Sequence, residues 1–118
     1  MPEARLQYVG GIVIRAADPK ALAAWYTDRF GLRTVLEHEG GYYGGFQTKD
    51  GPFHFGIVKG DSTRVGNAAV TFRVSGFTAY LETLAHQGLN PSQQSSDSEG
   101  RFALFKDPEG NEISIWGE

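Results

Sequence analysis

An α+β fold built from two βαβββ modules is predicted by three features of the sequence. The segment GIVIRA (Gly11–Ala16) is echoed 58 residues later by AVTFRV (Ala69–Val74). Each is followed by a helical stretch closing on Gly-Leu, at Gly31-Leu32 and at Gly88-Leu89. Strand-like segments rich in Tyr, Phe, Val and Ile come next in both halves. Repetition of this kind sets an architecture before any single element does. With 118 residues the chain suits one domain, 1–118, in which a module at about 1–60 shares a core with one at about 61–118.

In the first half, Ile12, Ile14 and Ala16 alternate with Gly11, Val13 and Arg15, the period of a strand. Asp18 then offers a carboxylate to the orphan amides of a helix start, and Pro19 fits the first helical position. Leu22, Trp25, Tyr26 and Phe30 recur on one helical face, and Gly31 suits a left-handed cap. Strands follow at about Thr34–Glu39, Tyr42–Thr48 and Pro52–Lys59, with turns at Gly40-Gly41 and Asp50-Gly51.

The second half repeats this order. A strand is expected at about Asn67–Ser75 and a helix at about Thr78–Gln87, with Tyr80, Leu81 and Leu84 inward. SQQSSDSEG (Ser92–Gly100) is polar and reads as a long exposed loop around a weak strand. The last strands, about Arg101–Lys106 and Asn111–Trp116, are joined by the turn Asp107-Pro108-Glu109-Gly110. Trp25, Tyr26, Phe30, Phe72 and Tyr80 fall on apolar faces and are packing residues.

Composition narrows the function. Eleven Lys+Arg against 14 Asp+Glu give a formal charge of −3 with no basic block, which argues against a nucleic-acid partner. No apolar run approaches the ~20 residues that span a bilayer, so no membrane partner is expected. MPEARLQYVGG lacks the apolar core of a secretory signal, which makes the cytoplasm the expected location. The chain has no cysteine, so disulfides, thiolate metal ligands and thiol nucleophiles are absent.

Two segments carry a resemblance. RAADPKALAAWYTDRFGL (Arg15–Leu32) resembles the strand-to-helix entry of the vicinal oxygen chelate superfamily, in which an Asp begins a helix ending in Tyr, several residues and Gly-Leu. FKDPEGNEISIW (Phe105–Trp116) resembles its final hairpin, Asp-Pro-x-Gly-Asn followed by a strand ending in Trp. With the doubled module, the likeness covers nearly the whole chain. The superfamily includes glyoxalase I, extradiol dioxygenases, fosfomycin-modifying enzymes and bleomycin-binding proteins. The resemblance implies a curved, cup-shaped mixed sheet with helices on its outer face, and a homodimer. It leaves open whether one chain closes its own cup or modules pair across the dimer.

Enzymes of that superfamily generally hold a divalent metal with one His, Gln or Glu from each of four strands inside the cup. The matching positions here are Gly11, His54, Ala69 and Ser114. Gly and Ala donate nothing, and a serine hydroxyl is a poor ligand beside imidazole or carboxylate. His54 alone is credible, where catalytic zinc takes three protein ligands. No cofactor is therefore expected. A displaced divalent metal held by His54 and Glu112 stays open as an alternative, with Glu112 otherwise a solvated rim carboxylate. His38 and His86 read as surface residues.

Strand alternation points Gly11, Val13 and Arg15, His54, Gly56 and Val58 into the cup. From the second module it adds Ala69, Thr71 and Arg73, then Glu112, Ser114 and Trp116. Either Tyr42, Gly44 and Phe46 or Tyr43, Gly45 and Gln47 join them. Arg15, His54, Thr71, Arg73, Ser114 and Trp116 are the candidate ligand-binding residues. Arg15 and Arg73 could clamp an acid group or serve structural ion pairs. The pocket is mostly apolar with few polar handles, which suits a flat or aromatic small molecule. The expected function is a metal-free small-molecule binder with no catalytic residue. The alternative is a lyase or dioxygenase-type enzyme, with a displaced metal or with His54 as acid–base.

Overall fold

The computed structural model describes residues 11–61, 66, 68–98 and 100–118. The first module comprises β1 (Gly11–Ala16), α1 (Pro19–Phe30), β2 (Arg33–His38), β3 (Gly41–Thr48) and β4 (Gly51–Lys59). The second comprises β5 (Ala69–Arg73), α2 (Phe77–His86), β6 (Gln93–Asp97), β7 (Gly100–Lys106) and β8 (Glu112–Gly117). Asn67, the expected start of the fifth strand, and the N-terminal stretch before Gly11 lie outside the described residues. The weak strand expected in the polar stretch is β6, exposed along its whole length.

Each module makes its own four-stranded mixed sheet, in the orders β1-β4-β3-β2 and β5-β8-β7-β6. The pairs β1–β4 and β5–β8 are parallel and the others antiparallel. The α+β architecture of two like modules thus stands, and within one chain the sheet is two sheets. The 58-residue spacing survives in three dimensions. Gly11 pairs with His54 as Ala69 pairs with Glu112, and the helices begin at Pro19 and Phe77.

Local chemistry explains the helix ends. Asp18 caps α1, its carboxylate accepting from the Ala21 N–H at 3.2 Å. Gly31 closes the helix in the left-handed region at φ 76°, where a side chain would be strained. Leu22, Ala23 and Tyr26 of α1 bury against Ile14, Phe55 and Ile57 on one face of the first sheet. In the second, Leu84 and Phe77 of α2 lie in the core with Ile113 and Ile115. The start of α2 at Phe77 rather than Thr78 brings that ring inside.

The modules are joined through these covered faces. Phe72 of β5 packs edge-on against Phe46 of β3 at 5.0 Å and against Phe53 of β4 at 6.5 Å. Beside them, the Tyr26 hydroxyl donates to the buried Asp107 carboxylate at 2.8 Å. Asp107 also accepts from the backbone N–H groups of Glu109 and Asn111 and from the Asn111 amide. The Glu109 carboxylate in turn accepts from the N–H groups of Ala17 and Asp18 ahead of α1, where negative charge favours the helix dipole. The two segments that carry the family resemblance are therefore a structural lock between modules.

Candidate functional site

Joining the covered faces leaves each sheet an open one, and the register assigns the residues to it. On the first sheet the rows run Gly11, His54, Gly45, Arg33 and then Val13, Gly56, Tyr43, Leu36. The choice left open for β3 therefore falls on Tyr43, Gly45 and Gln47. Phe46 points the other way, to Tyr26. A bulge between Thr34 and Leu36 sends both Val35 and Leu36 to the open side, because an extra residue breaks the alternation of side chains. They border a hollow of about 480 Å³ with Val13, Tyr43, Gly56 and His54. Val13, Val35 and Leu36 are 57%, 80% and 56% exposed, an unusual cluster of uncovered apolar side chains.

The floor of this hollow is set by close approach. Tyr43 lies over Gly56, where a Cβ would sit 3.1 Å from its ring. At Gly11 a Cβ would fall 2.5 Å from the His54 carbonyl oxygen and 2.7 Å from its Cβ. No other residue fits at position 11 without moving the strand.

The open face of the second sheet differs. Its hollow, about 330 Å³, is lined by Thr71, Ser95, Asp97, Gly100, Phe102 and Trp116. Thr71 and Ser114 share a hydroxyl–hydroxyl bond of 2.8 Å, and Ser114 is buried although it points to this side. The Arg73 guanidinium stacks over the Trp116 ring at 4.2 Å and reaches the Glu118 carboxylate at 3.7 Å. Arg73 thus makes a surface ion pair and a stacking contact.

The candidate binding residues accordingly fall into two groups. Arg15 and His54 lie on the first open face, and Thr71, Arg73, Ser114 and Trp116 lie on the second. No residue lines both hollows. Glu112 is exposed on the second face, apart from His54 in the chain's own fold. His38 and His86 are exposed. Sequence reasoning missed Val35, Leu36, Arg33, Phe102, Ser95 and Asp97. The pairing partners of two outer strands place them, and no periodicity within β2 signals its bulge.

The glyoxalase-like domain family matches residues 11–116, nearly the whole chain. The chain belongs to the glyoxalase-like domain family. With it comes membership of the vicinal oxygen chelate superfamily. This glyoxalase-like chain is similar in fold to an antibiotic-binding protein, TnmS3, from a Streptomyces species, at TM-score 0.81 and 19% identity over 98% of each chain. A glyoxalase/bleomycin resistance protein from Catenulispora acidiphila matches at TM-score 0.71 and 24% identity over 97% of this chain and 99% of that one. A lactoylglutathione lyase from Agrobacterium tumefaciens matches at TM-score 0.78 and 17% identity, over 97% and 96%. No curated protein matches the chain by sequence.

A shared fold does not set the reaction, which rests on the side chains at the site. The donor set of the glyoxalase-like chain does not fit a divalent cation. Gly11 has no side chain and no room for one, Ala69 has no donor, and the Ser114 hydroxyl is bonded to Thr71. Among the described residues no three His, Cys, Asp or Glu side chains come together as a metal-holding group. Among the same residues no helix is long and apolar enough to cross a membrane. Burial, reinforced by the Asp107 carboxylate, pushes the Tyr26 phenol well above its usual range. That phenol is a fixed donor with no part in proton transfer near neutrality.

Proposed function

We propose that this glyoxalase-like chain is a small-molecule-binding protein that works without the family's divalent metal. It holds a flat, apolar ligand body against the open face of the first sheet. The observation that carries this reading is the hollow of about 480 Å³ with an uncovered apolar wall and a glycine floor. Its size lies within the ~300–1,000 Å³ of small-ligand sites, and exposed Val13, Val35 and Leu36 reward whatever covers them. The fold is shared with an antibiotic-binding protein and with a lactoylglutathione lyase, so it accommodates a binder, and the side chains of the hollow carry the choice.

The second element of the proposal is a homodimer. Because one chain joins its sheets through their covered faces, another molecule is needed to close either open face. A two-fold dimer does this twice, setting the first open face of one chain against the second open face of the other. Trp116 of the partner subunit then supplies an aromatic wall over the ligand.

Thermal-shift measurements with a panel of planar aromatic compounds test the binding reading. At least one class is expected to raise the melting temperature by about 2 °C or more, and Val13→Asp to abolish the rise. The competing reading is a lyase or dioxygenase-type enzyme, and the observation that favours it is the position of His54 on the wall of the hollow. Turnover of glyoxalase or dioxygenase substrates that vanishes in His54→Ala, with no shift from any aromatic compound, would replace the first reading with the second.

A further inference from the structure

The first open face has a charge pattern that its apolar hollow conceals. The row Gly11, His54, Gly45, Arg33 crosses all four strands in register. Both glycines beside His54 are obligatory. A Cβ at Gly45 would meet the Phe53 carbonyl oxygen at 2.5 Å, as one at Gly11 would meet that of His54. The imidazole therefore stands in a notch with no side chain on either flank. The next side chain along the row is the Arg33 guanidinium, two strands away at about 10 Å between Cα atoms. Both side chains are exposed, and both are long enough to converge above Gly45.

No position facing this way in β1 to β4 is Asp or Glu, although acidic residues outnumber basic ones in the chain as a whole. The basic side chains here are Arg33 and His54 at one end of the face, and Arg15 and His38 at the other, with the Tyr43 phenol between them. Between the ends runs the apolar row Val13, Gly56, Tyr43, Leu36, about 7 Å along the strands from the notch. A planar system of two or three rings lying on that row reaches the notch with its edge.

We infer that this face selects planar organic anions, aromatic carboxylates or sulfonates, and holds the acid group over Gly45 between Arg33 and His54. The guanidinium fork matches two acid oxygens at once, and the imidazole adds a ring N–H donor. The inference rests on the reading of this face as a ligand site and adds the charge of its ligand.

Two dyes that share a ring system separate the two ideas. 8-Anilinonaphthalene-1-sulfonate carries the acid group, and N-phenyl-1-naphthylamine is the same body without it. Fluorescence titration of the full chain is expected to give at least about tenfold tighter binding of the sulfonate. Arg33→Gln and His54→Gln each narrow that gap several-fold and leave the neutral dye within twofold. Lys20→Gln, an exposed cation on α1 and away from both open faces, changes neither. Equal or tighter binding of the neutral dye by the wild-type chain overturns the anion inference and leaves the apolar site standing. The anion inference is equally overturned if the Lys20 change narrows the gap as much, or if the Arg33 and His54 changes weaken both dyes alike. If neither dye binds, the ligand-site reading falls with it.

Discussion

The two open faces occupy equivalent places in the two modules and have opposite characters. Position by position, Gly11 and His54 correspond to Ala69 and Glu112, Val13 and Gly56 to Thr71 and Ser114, Arg15 and Val58 to Arg73 and Trp116. The first module has cleared its floor with glycine and lined it with uncovered Val and Leu. The second has filled the same places with groups that satisfy one another, Thr71 with Ser114, and Arg73 with Trp116 and Glu118. A ligand on the second face must displace or match these contacts, because a buried polar group that loses its partner costs the full desolvation of that group. One on the first face displaces only water from apolar surface, which is favourable. Binding energy is therefore expected from the first face and orientation from the second.

The largest expected effect tests whether the halves are one unit at all. Asp107→Ala removes the acceptor of four hydrogen bonds, one of them from Tyr26 in the other module. Urea unfolding is expected to show a loss of about 3 kcal/mol or more, since several buried donors are left unpaired at once. A loss under about 1 kcal/mol would mean that the modules hold together without this lock, and the joining of covered faces would need another cause.

Gly11 against Ala69 sharpens the contrast at a single pair of equivalent positions. Gly11→Ala drives a Cβ into the β4 backbone, where nothing flexible can yield, and is expected to cost about 1–3 kcal/mol. Ala69→Gly costs only the backbone entropy of glycine in a strand, about 0.5–1 kcal/mol. Equal costs in chemical denaturation would show that the first sheet is no tighter at this pair than the second.

These comparisons also mark what the sequence made legible. The 58-residue spacing, the alternation in Gly11–Ala16 and Phe53–Ile57, and the Asp18 and Gly31 caps are local signals, and the elements follow them. The apolar side of β8 was readable for the same reason, since Ile113 and Ile115 alternate with Ser114 and Trp116. The face of β3 was not, because glycines in both alternating sets, at 44 and at 45, hide the hydrophobic pattern that sets register. Nor was the contribution of Val35 and Leu36, which depends on a bulge and on pairing with a distant strand. Arg33 was missed for a related reason. Its relation to His54 runs through Gly45, across two strand pairings.

The exposed wall gives the next prediction. Val35→Asp adds a charge to the most uncovered apolar side chain of the first face without touching the core. Sedimentation of the wild-type chain is expected to show a dimer, and the variant to weaken it at least about tenfold, or ~1.4 kcal/mol. Gln94→Asp, on the exposed edge strand β6, is expected to leave the dimer intact. A monomeric wild-type chain would remove the partner subunit from the site and leave ligand binding to the first face alone.

The smallest effect separates the lock from the open faces by pH. The Tyr26 phenol is held above its unfolded value of 10.0, first by burial and then by Asp107. A group raised in this way contributes its full stability below the unfolded value and loses it as pH climbs beyond, because the unfolded chain releases the proton first. Between pH 9 and pH 10.5 the wild-type chain is expected to lose about 0.8 kcal/mol through this tyrosine. Tyr26→Phe is less stable at pH 7 for want of the bond to Asp107, and its decline over that alkaline window is shallower by the same amount. Burial alone raises Tyr80 too, so both proteins share that part of the slope and their difference isolates Tyr26. Parallel curves would mean that the Tyr26 phenol is not held out of water beside Asp107, and that the covered faces are joined by Phe72 and its ring partners instead.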